Sequence, residues 1–227
     1  CRRPIKVCWC PYLPNEPIAI ETNLYILQHP YEETRCLRTA PMLVRSLPSH
    51  KCHLIQGKKY PRSKFPDLEG VINAPNTLLL FPGPDAVNIE NISNDLSTQY
   101  NLIVIDGTWQ QAKGIYHQNP VLHIPKKVQV HFTGRSKYSI RTQPNDHSLS
   151  TLESVALALS TLEEKPEIAD ILTRPLEALV KFQLDHGAKA QESRDYKIKN
   201  GLWTKRLPKS VLKKREKEER EHKGKCD

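Results

Sequence analysis

Four groups of residues have the types and spacing to do chemistry. The first is Asp106-Gly107-Thr108-Trp109, directly after the apolar run LIVI at 102–105. A short apolar run closed by turn residues is the pattern of a buried parallel strand, and open α/β sheets bind ligands beyond the carboxyl ends of their strands. Asp106 therefore stands where a carboxylate would meet a ligand. The same four residues also suit a plain turn, with Thr108 capping a helix and Trp109 in the core. The second group is Leu80-Phe81-Pro82-Gly83-Pro84, which closes the run TLLLF at 77–81. Gly83 lets backbone approach a ligand and the prolines stiffen the loop, although a turn needs no more than this. The third is Arg141-Thr-Gln-Pro144 followed by Ser148-Leu-Ser-Thr-Leu-Glu153. Here Ser150-x-x-Glu153 reads as a capping box, and the helix start it makes also presents free amides to a carboxylate. The fourth is Cys1, Cys8 and Cys10. Three thiols at such spacing suit zinc, which wants four ligands in a structural site; the fourth is expected upstream of Cys1. Three free thiols near a terminus is the plainer alternative.

These groups need a frame to position them. The 227 residues suffice for one sizeable domain. The run at 23–28 (NLYILQ) reads as a strand closed by His29-Pro30, and 32–47 has helical spacing with a kink or late start at Pro41. A short strand is expected at 52–55 within a poorly patterned stretch, 48–76. Strands at 77–81 and 102–105 are each followed by helical patterns, at 85–96 and 108–118, which is the βαβα rhythm of an α/β domain. Segments 127–132 and 138–141 alternate like strands. The clearest helix is 150–164, with Leu152, Val155, Ala156, Leu159 and Leu162 on one stripe. A second helix is expected over 167–189, bent near Pro175.

Composition narrows the functions. No apolar run reaches membrane-spanning length. The six cysteines lack the even use of a disulfide-stapled secreted domain and fit a reducing compartment. The net charge is +9, of which residues 205–227 carry +5, from ten Lys or Arg against five Asp or Glu. A basic tail of this kind suits nucleic acid, or is a solvated, loosely helical or disordered charge run. Cys1 in place of Met predicts a fragment or processed chain. The expected organisation is a Cys-rich element at 1–14, a catalytic domain at 15–204 and the basic tail at 205–227.

Together these residues resemble the DTW-domain family, whose hallmark Asp-x-Thr-Trp matches Asp106 to Trp109, with Gln110-Gln111-Ala112-Lys113 following. Other landmarks keep the family order: Arg3-Pro4 before Cys8-Trp-Cys10, Gln28-His29-Pro30 with Glu32 or Glu33 after it, Leu37-Arg38-Thr39, the loop at 80–83, and Ser150-Thr151-Leu152-Glu153. Phe182-Gln-Leu-Asp-His-Gly187 and Lys199-Asn-Gly-Leu202 resemble a second eukaryotic branch of that family.

The resemblance implies a SPOUT-like α/β domain with a mostly parallel sheet and a C-terminal trefoil knot, preceded by a small zinc-binding element on Cys1, Cys8 and Cys10. It implies transfer of the 3-amino-3-carboxypropyl group of S-adenosylmethionine to N3 of a tRNA uridine, in the D-loop, releasing 5'-methylthioadenosine. Asp106 is the expected catalytic residue, as base or as a group binding the donor's amino group. Leu80, Pro82, Gly83, Thr108, Trp109, Thr151, Leu152 and Glu153 are expected to bind the donor with it. Arg38, Lys113, Arg135, Lys137 and Arg141 are expected on tRNA phosphates. No obligate protein partner and no membrane are implied, and the expected location is nuclear, cytoplasmic or both, with Lys213-Lys-Arg-Glu-Lys217 as a nuclear signal or RNA-binding charge. Two other readings stay open on the residues alone: an RNA methyltransferase of similar fold, and a zinc-containing RNA-binding module without chemistry.

Overall fold

A computed structural model of the chain describes residues 1–60, 65–92, 99–207 and 211–212. Its centre is strand β5 (Asn101–Asp106), buried at every position. Parallel neighbours flank it: β1 (Asn23–Gln28) and then β2 (Cys52–Gln56) on one side, β3 (Thr77–Leu80), β6 (Lys126–Gln129) and β4 (Val87–Asn88) on the other. All five pairings are parallel, so every strand delivers its carboxyl end to the same edge.

Alternation splits the strand residues between two cores. Leu24, Ile26, Leu78, Leu80, Leu102 and Val104 pack with three helices, α1 (Ala40–Ser46), α4 (Thr151–Leu162) and α5 (Glu167–Asp185). Leu27, Leu79, Ile103 and Ile105 pack on the other face with α2 (Leu68–Asn73) and α3 (Trp109–Gln118). A sheet covered on both faces needs continuous apolar strands, which is why the runs TLLL and LIVI carry no polar alternation.

Helix starts and stops follow local chemistry. Pro41 sits in the first turn of α1, where its missing N–H costs nothing, so the helix starts late. Both α3 and α4 open with full capping boxes, Thr108 with Gln111 and Ser150 with Glu153. Helix α5 runs unbroken through Pro175, and Gly187 beyond its end takes a left-handed φ of +88°. At the end of α4 the Glu163 carboxylate accepts the amides of Glu21 (2.9 Å) and Thr22 (2.8 Å), fixing the entry to β1.

Two expected elements differ. Residues 85–92 form a turn, the short β4 and a single 3-10 turn rather than the start of a helix; β4 pairs with β6 and its residues are only half-buried. The rest of that expected helix, 93–96, lies outside the described residues. Residues 138–141 form a turn rather than a strand, because Tyr138 is buried singly, 1 % exposed, without a strand partner. Helices α2 and α6 (Arg194–Lys199) lay in stretches with no legible pattern. Most of the basic tail lies outside the described residues. No described helix is long and apolar enough to cross a membrane.

Candidate active site

At the carboxyl edge of the sheet lies a cavity of about 540 Å³, within the range of sites for small organic ligands. Its base is the end of β3 with Phe81 and Pro82, the end of β5 from Val104 to Asp106, and Gln129 at the end of β6 with Val130 after it. One wall is Gly107, Thr108, Trp109 and Ala112 at the start of α3; the opposite wall is Tyr138, residues 141–145 and 147–151, and Ser154. Glu32 and the turn Leu37-Arg38-Thr39 border a third side.

Parallel register places the polar groups. Gln28, last in β1, lies opposite Asp106, last in β5. The Gln28 side chain donates to Asp106 Oδ2 at 2.9 Å, and Gln56 of β2 donates to Gln28 at 3.1 Å. Three neighbouring strand ends thus hold the Asp106 carboxylate in one orientation, 6 % exposed. Gly107 is closely packed: a Cβ there would meet Gln111 Cβ at 3.1 Å, Gln111 Oε1 at 3.3 Å and His29 Cβ at 3.4 Å, so a side chain would need these neighbours to give way slightly. The backbone turns tightly there, so Thr108 reaches the cap position and Trp109 the wall.

The 130–150 segment is pinned by Glu153. Its carboxylate accepts Ser136 Oγ (2.8 Å), the Lys137 amide (2.6 Å) and the Ser150 amide (2.8 Å). Tyr138 donates its hydroxyl to the Leu37 carbonyl, joining two walls; burial pushes its phenol up to about 12. On the outer side of the 80–84 loop, Phe81 stacks on Tyr116 at 4.7 Å, and Lys127 lies over Tyr116 while bonding Asp85 at 2.8 Å.

Of the residues expected to bind a ligand, Leu80, Pro82, Asp106, Thr108, Trp109 and Thr151 meet on this cavity, as do Arg38 and Arg141. Gly83 lies one residue past the lining stretch. Leu152 is fully buried in the core, and Glu153 is engaged by the bonds above. Lys113 is exposed on α3. Arg135 pairs with Glu192 at 3.2 Å, and Lys137 with Glu177 at 2.6 Å and Asp170 at 3.7 Å.

Several lining residues were not among those expected: Glu32, Tyr138, Arg194 and Trp203. Glu32 had a signal, since it follows the carboxyl end of β1 and so reaches the same edge. Arg194 and Trp203 had none. They come from the segment after α5, which lies along the 139–144 loop through Gln191 N to Ser139 O (2.7 Å), Arg194 N to Gln143 O (2.8 Å) and Asp195 N to Pro144 O (3.1 Å).

Away from the cavity, Cys1, Cys8 and Cys10 bring their sulfurs within 4.8 Å of one another, a cluster that could hold a metal ion. Cys1 and Cys8 sulfurs are 3.4 Å apart. The Cys10 amide, bonded to the Cys8 thiol, holds that thiol below its ordinary value against a smaller opposing effect of burial. All three cysteines are half-buried, and thiols are the soft donors that suit a soft or borderline metal ion.

Comparison with known proteins agrees with the motifs. The model of the DTW domain matches residues 1–184. The chain is 46 % identical over 220 residues to tRNA-uridine aminocarboxypropyltransferase 2 of Mus musculus, covering 96 % of this chain and 74 % of that one. It is 45 % identical over 212 residues to the protein of the same name in Drosophila melanogaster, covering 93 % and 84 %. With tRNA-uridine aminocarboxypropyltransferase A of Arabidopsis thaliana it shares 28 % identity over 212 residues, covering 81 % and 79 %. No solved structure matches the chain at a significant level.

The Glu153 hub generates a prediction. Glu153→Ala leaves partly buried donors without an acceptor, and should lower unfolding free energy by about 1–3 kcal/mol in urea titration. Faster amide exchange at Lys137 and Ser150 should accompany the loss.

Proposed function

This chain belongs to the DTW-domain family, and from that premise we propose that it transfers the 3-amino-3-carboxypropyl group of S-adenosylmethionine to N3 of a tRNA uridine. The observation that carries the reading is the name shared by relatives aligned over more than nine-tenths of the chain. The cavity supports it, having the volume for a nucleoside donor and carboxyl groups at one side for a cation.

Choice of group is a matter of geometry. The sulfonium has three carbons open to attack, and transfer of the aminocarboxypropyl chain requires its γ-carbon to face the nucleophile in line at about 3–3.5 Å. In this reading Leu80, Pro82, Gly83, Thr108 and Trp109 hold the adenosine and sulfonium. Asp106, fixed by Gln28, accepts from the donor's ammonium. The start of α4 receives the carboxylate, with Thr151 on the wall and Leu152 and Glu153 holding it from behind. Arg38 and Arg141 stand at the cavity for phosphate, with Lys113, Arg135 and Lys137 further out. The target base must be exposed or flipped to enter. The resemblance points to the D-loop, to 5'-methylthioadenosine as the second product, and to a SPOUT-like domain with a C-terminal trefoil knot. The parallel sheet with its site at the carboxyl edge supports that fold assignment. Zinc on Cys1, Cys8 and Cys10 is the proposed structural metal. The nucleus and the cytoplasm, where tRNA is made and used, are the proposed compartments.

Three outcomes are expected. Incubated with S-adenosylmethionine and unmodified tRNA, the protein should yield uridine heavier by one aminocarboxypropyl group on mass spectrometry of the digested RNA. A gain of one methyl group would make it a methyltransferase, and no gain would favour a binding module. Asp106→Asn should weaken donor binding about 10- to 100-fold, the loss of a charged hydrogen bond, while turnover at saturating donor survives. Turnover lost at saturation would instead assign proton removal to Asp106. Zinc added to chelator-treated protein should raise Tm, and Cys8→Ser should abolish the rise.

A further inference from the structure

The cavity holds a second buried carboxyl that the reading above leaves without a role. Glu32 is 4 % exposed and lines the cavity together with Asp106. It sits in the turn after β1, which is fixed at both ends. The His29 amide donates to Asp106 O at 2.9 Å, and the Glu32 and Arg35 amides close the turn at 2.9 and 3.2 Å.

Its Oε1 is buried and makes no hydrogen bond. It is ion-paired with Arg35 Nε at 3.1 Å, without the alignment of a hydrogen bond, and the Arg35 side chain is 40 % exposed. A buried carboxylate oxygen with one half-exposed cation beside it and no hydrogen bond is only partly compensated, and native proteins keep such groups where a ligand or reaction uses them. The other buried glutamates contrast with it: Glu153 and Glu163 each accept two or more backbone amides.

We propose that Glu32 is the catalytic base that takes the N3 proton of the target uridine. This rests on the transferase reading and adds the residue that activates its nucleophile. The Glu32 carboxylate accepts the proton from N3. The N3 electron pair forms the bond to the donor's γ-carbon. The γ-carbon–sulfur bond breaks, and its pair returns to sulfur, which passes from sulfonium to the neutral thioether of 5'-methylthioadenosine. Glu32 releases its proton to solvent as products leave. Asp106, held by Gln28, is turned to the donor's ammonium, so the two carboxyls divide the work.

The surroundings suit the task. Burial first, and then the charge of Asp106 on β5, push the Glu32 carboxyl above its ordinary value; Arg35 in its own turn and Arg141 in the opposite wall act the other way. Tyr138, from that wall, also faces it. A raised carboxyl is a stronger base at neutral pH than a solvated one, and uridine N3 ionises only well above neutrality. The sign of the pH dependence follows. The base must be ionised, so turnover falls as pH drops through the raised Glu32 value and levels off above it.

The test is single-turnover transfer to tRNA at saturating donor, across pH, with wild type, Glu32→Gln, Glu32→Asp and Arg35→Gln. Glu32→Gln should lose about 100- to 10,000-fold in rate at neutral pH. Its remaining rate should climb tenfold per pH unit, because ionisation of N3 itself then supplies the nucleophile. Glu32→Asp should recover part of the rate with an acid limb. Arg35→Gln should keep turnover and move the acid limb to higher pH, since a cation near Glu32 is gone. A Tm rise with S-adenosylmethionine reports that each variant is folded; if Glu32→Gln is not, the Arg35→Gln limb decides. Wild-type rates in Glu32→Gln, a loss with an unchanged pH profile, or an unmoved limb in Arg35→Gln would overturn the assignment. If wild type itself adds no aminocarboxypropyl group, the transferase reading fails first; if it does, only the role of Glu32 is at stake.

Discussion

Parallel pairing of β1 with β5 is the constraint on which the site depends. Its register sets Gln28 opposite Asp106, so that one carboxylate is oriented by the side chain at the end of the neighbouring strand. A slip of one residue would turn Asp106 to the other face of the sheet, away from Gln28. What prevents the slip is burial on both faces. Leu102 and Val104 belong to one core, Ile103 and Ile105 to the other, and exchanging the two sets would mismatch both packings at once. Precision at the site is therefore a consequence of the two hydrophobic cores several residues away.

The four buried acids among the described residues, Glu32, Asp106, Glu153 and Glu163, show how one residue type serves two ends. Glu153 and Glu163 accept backbone amides that would otherwise be orphaned, one at the start of α4 and one at its end. The helix is thereby tied to the 136–138 segment at one terminus and to the approach to β1 at the other. Among the described residues no backbone amide donates to the Asp106 or Glu32 carboxylate, and both residues line the cavity. All four are buried to a similar extent; what differs is that backbone amides compensate Glu153 and Glu163, whereas Asp106 has the Gln28 side chain and Glu32 the Arg35 ion pair.

Legibility in the sequence followed the range of the interactions. Strands β1, β3 and β5 were readable because apolar runs closed by His-Pro, Pro-Gly and Asp-Gly are local patterns. Helix α4 was readable from Ser150 and Glu153, since a capping box lies within four residues. The 85–92 stretch misled because a helical spacing of apolar residues says nothing about a neighbouring strand edge; β6 recruits Val87 and Asn88 by pairing across 41 positions. Tyr138 misled for the same reason, being buried in the core shared with α4 and α5 and bonded to the distant Leu37 carbonyl. At the site, Asp106, Thr108 and Trp109 were legible because a strand end is a local feature with a known topological meaning. Glu32 carried the same kind of signal, following the end of β1, whereas Arg194 and Trp203 required the third dimension.

The wall opposite α3 is assembled from the least regular part of the chain, and its order comes from pairwise ties. Glu153 holds residues 136 and 137, Tyr138 holds the 37–39 turn, and the segment after α5 holds residues 139–144 through three backbone bonds. Each tie joins positions at least sixteen residues apart, with no continuous secondary structure between them. The sheet edge is fixed by two cores, whereas this wall has one core side chain, Tyr138, with Ile140 packed against the core and the rest held by polar contacts. Backbone opening is easiest where polar contacts are few and apolar burial is thin. The side of the cavity that carries Arg141, Arg194 and Trp203 is thus the more deformable one, and the side that carries Asp106 the more rigid. A macromolecular substrate that must insert a base beside a small donor meets a fixed half and an adjustable half, which is the division that positioning one ligand while admitting another requires.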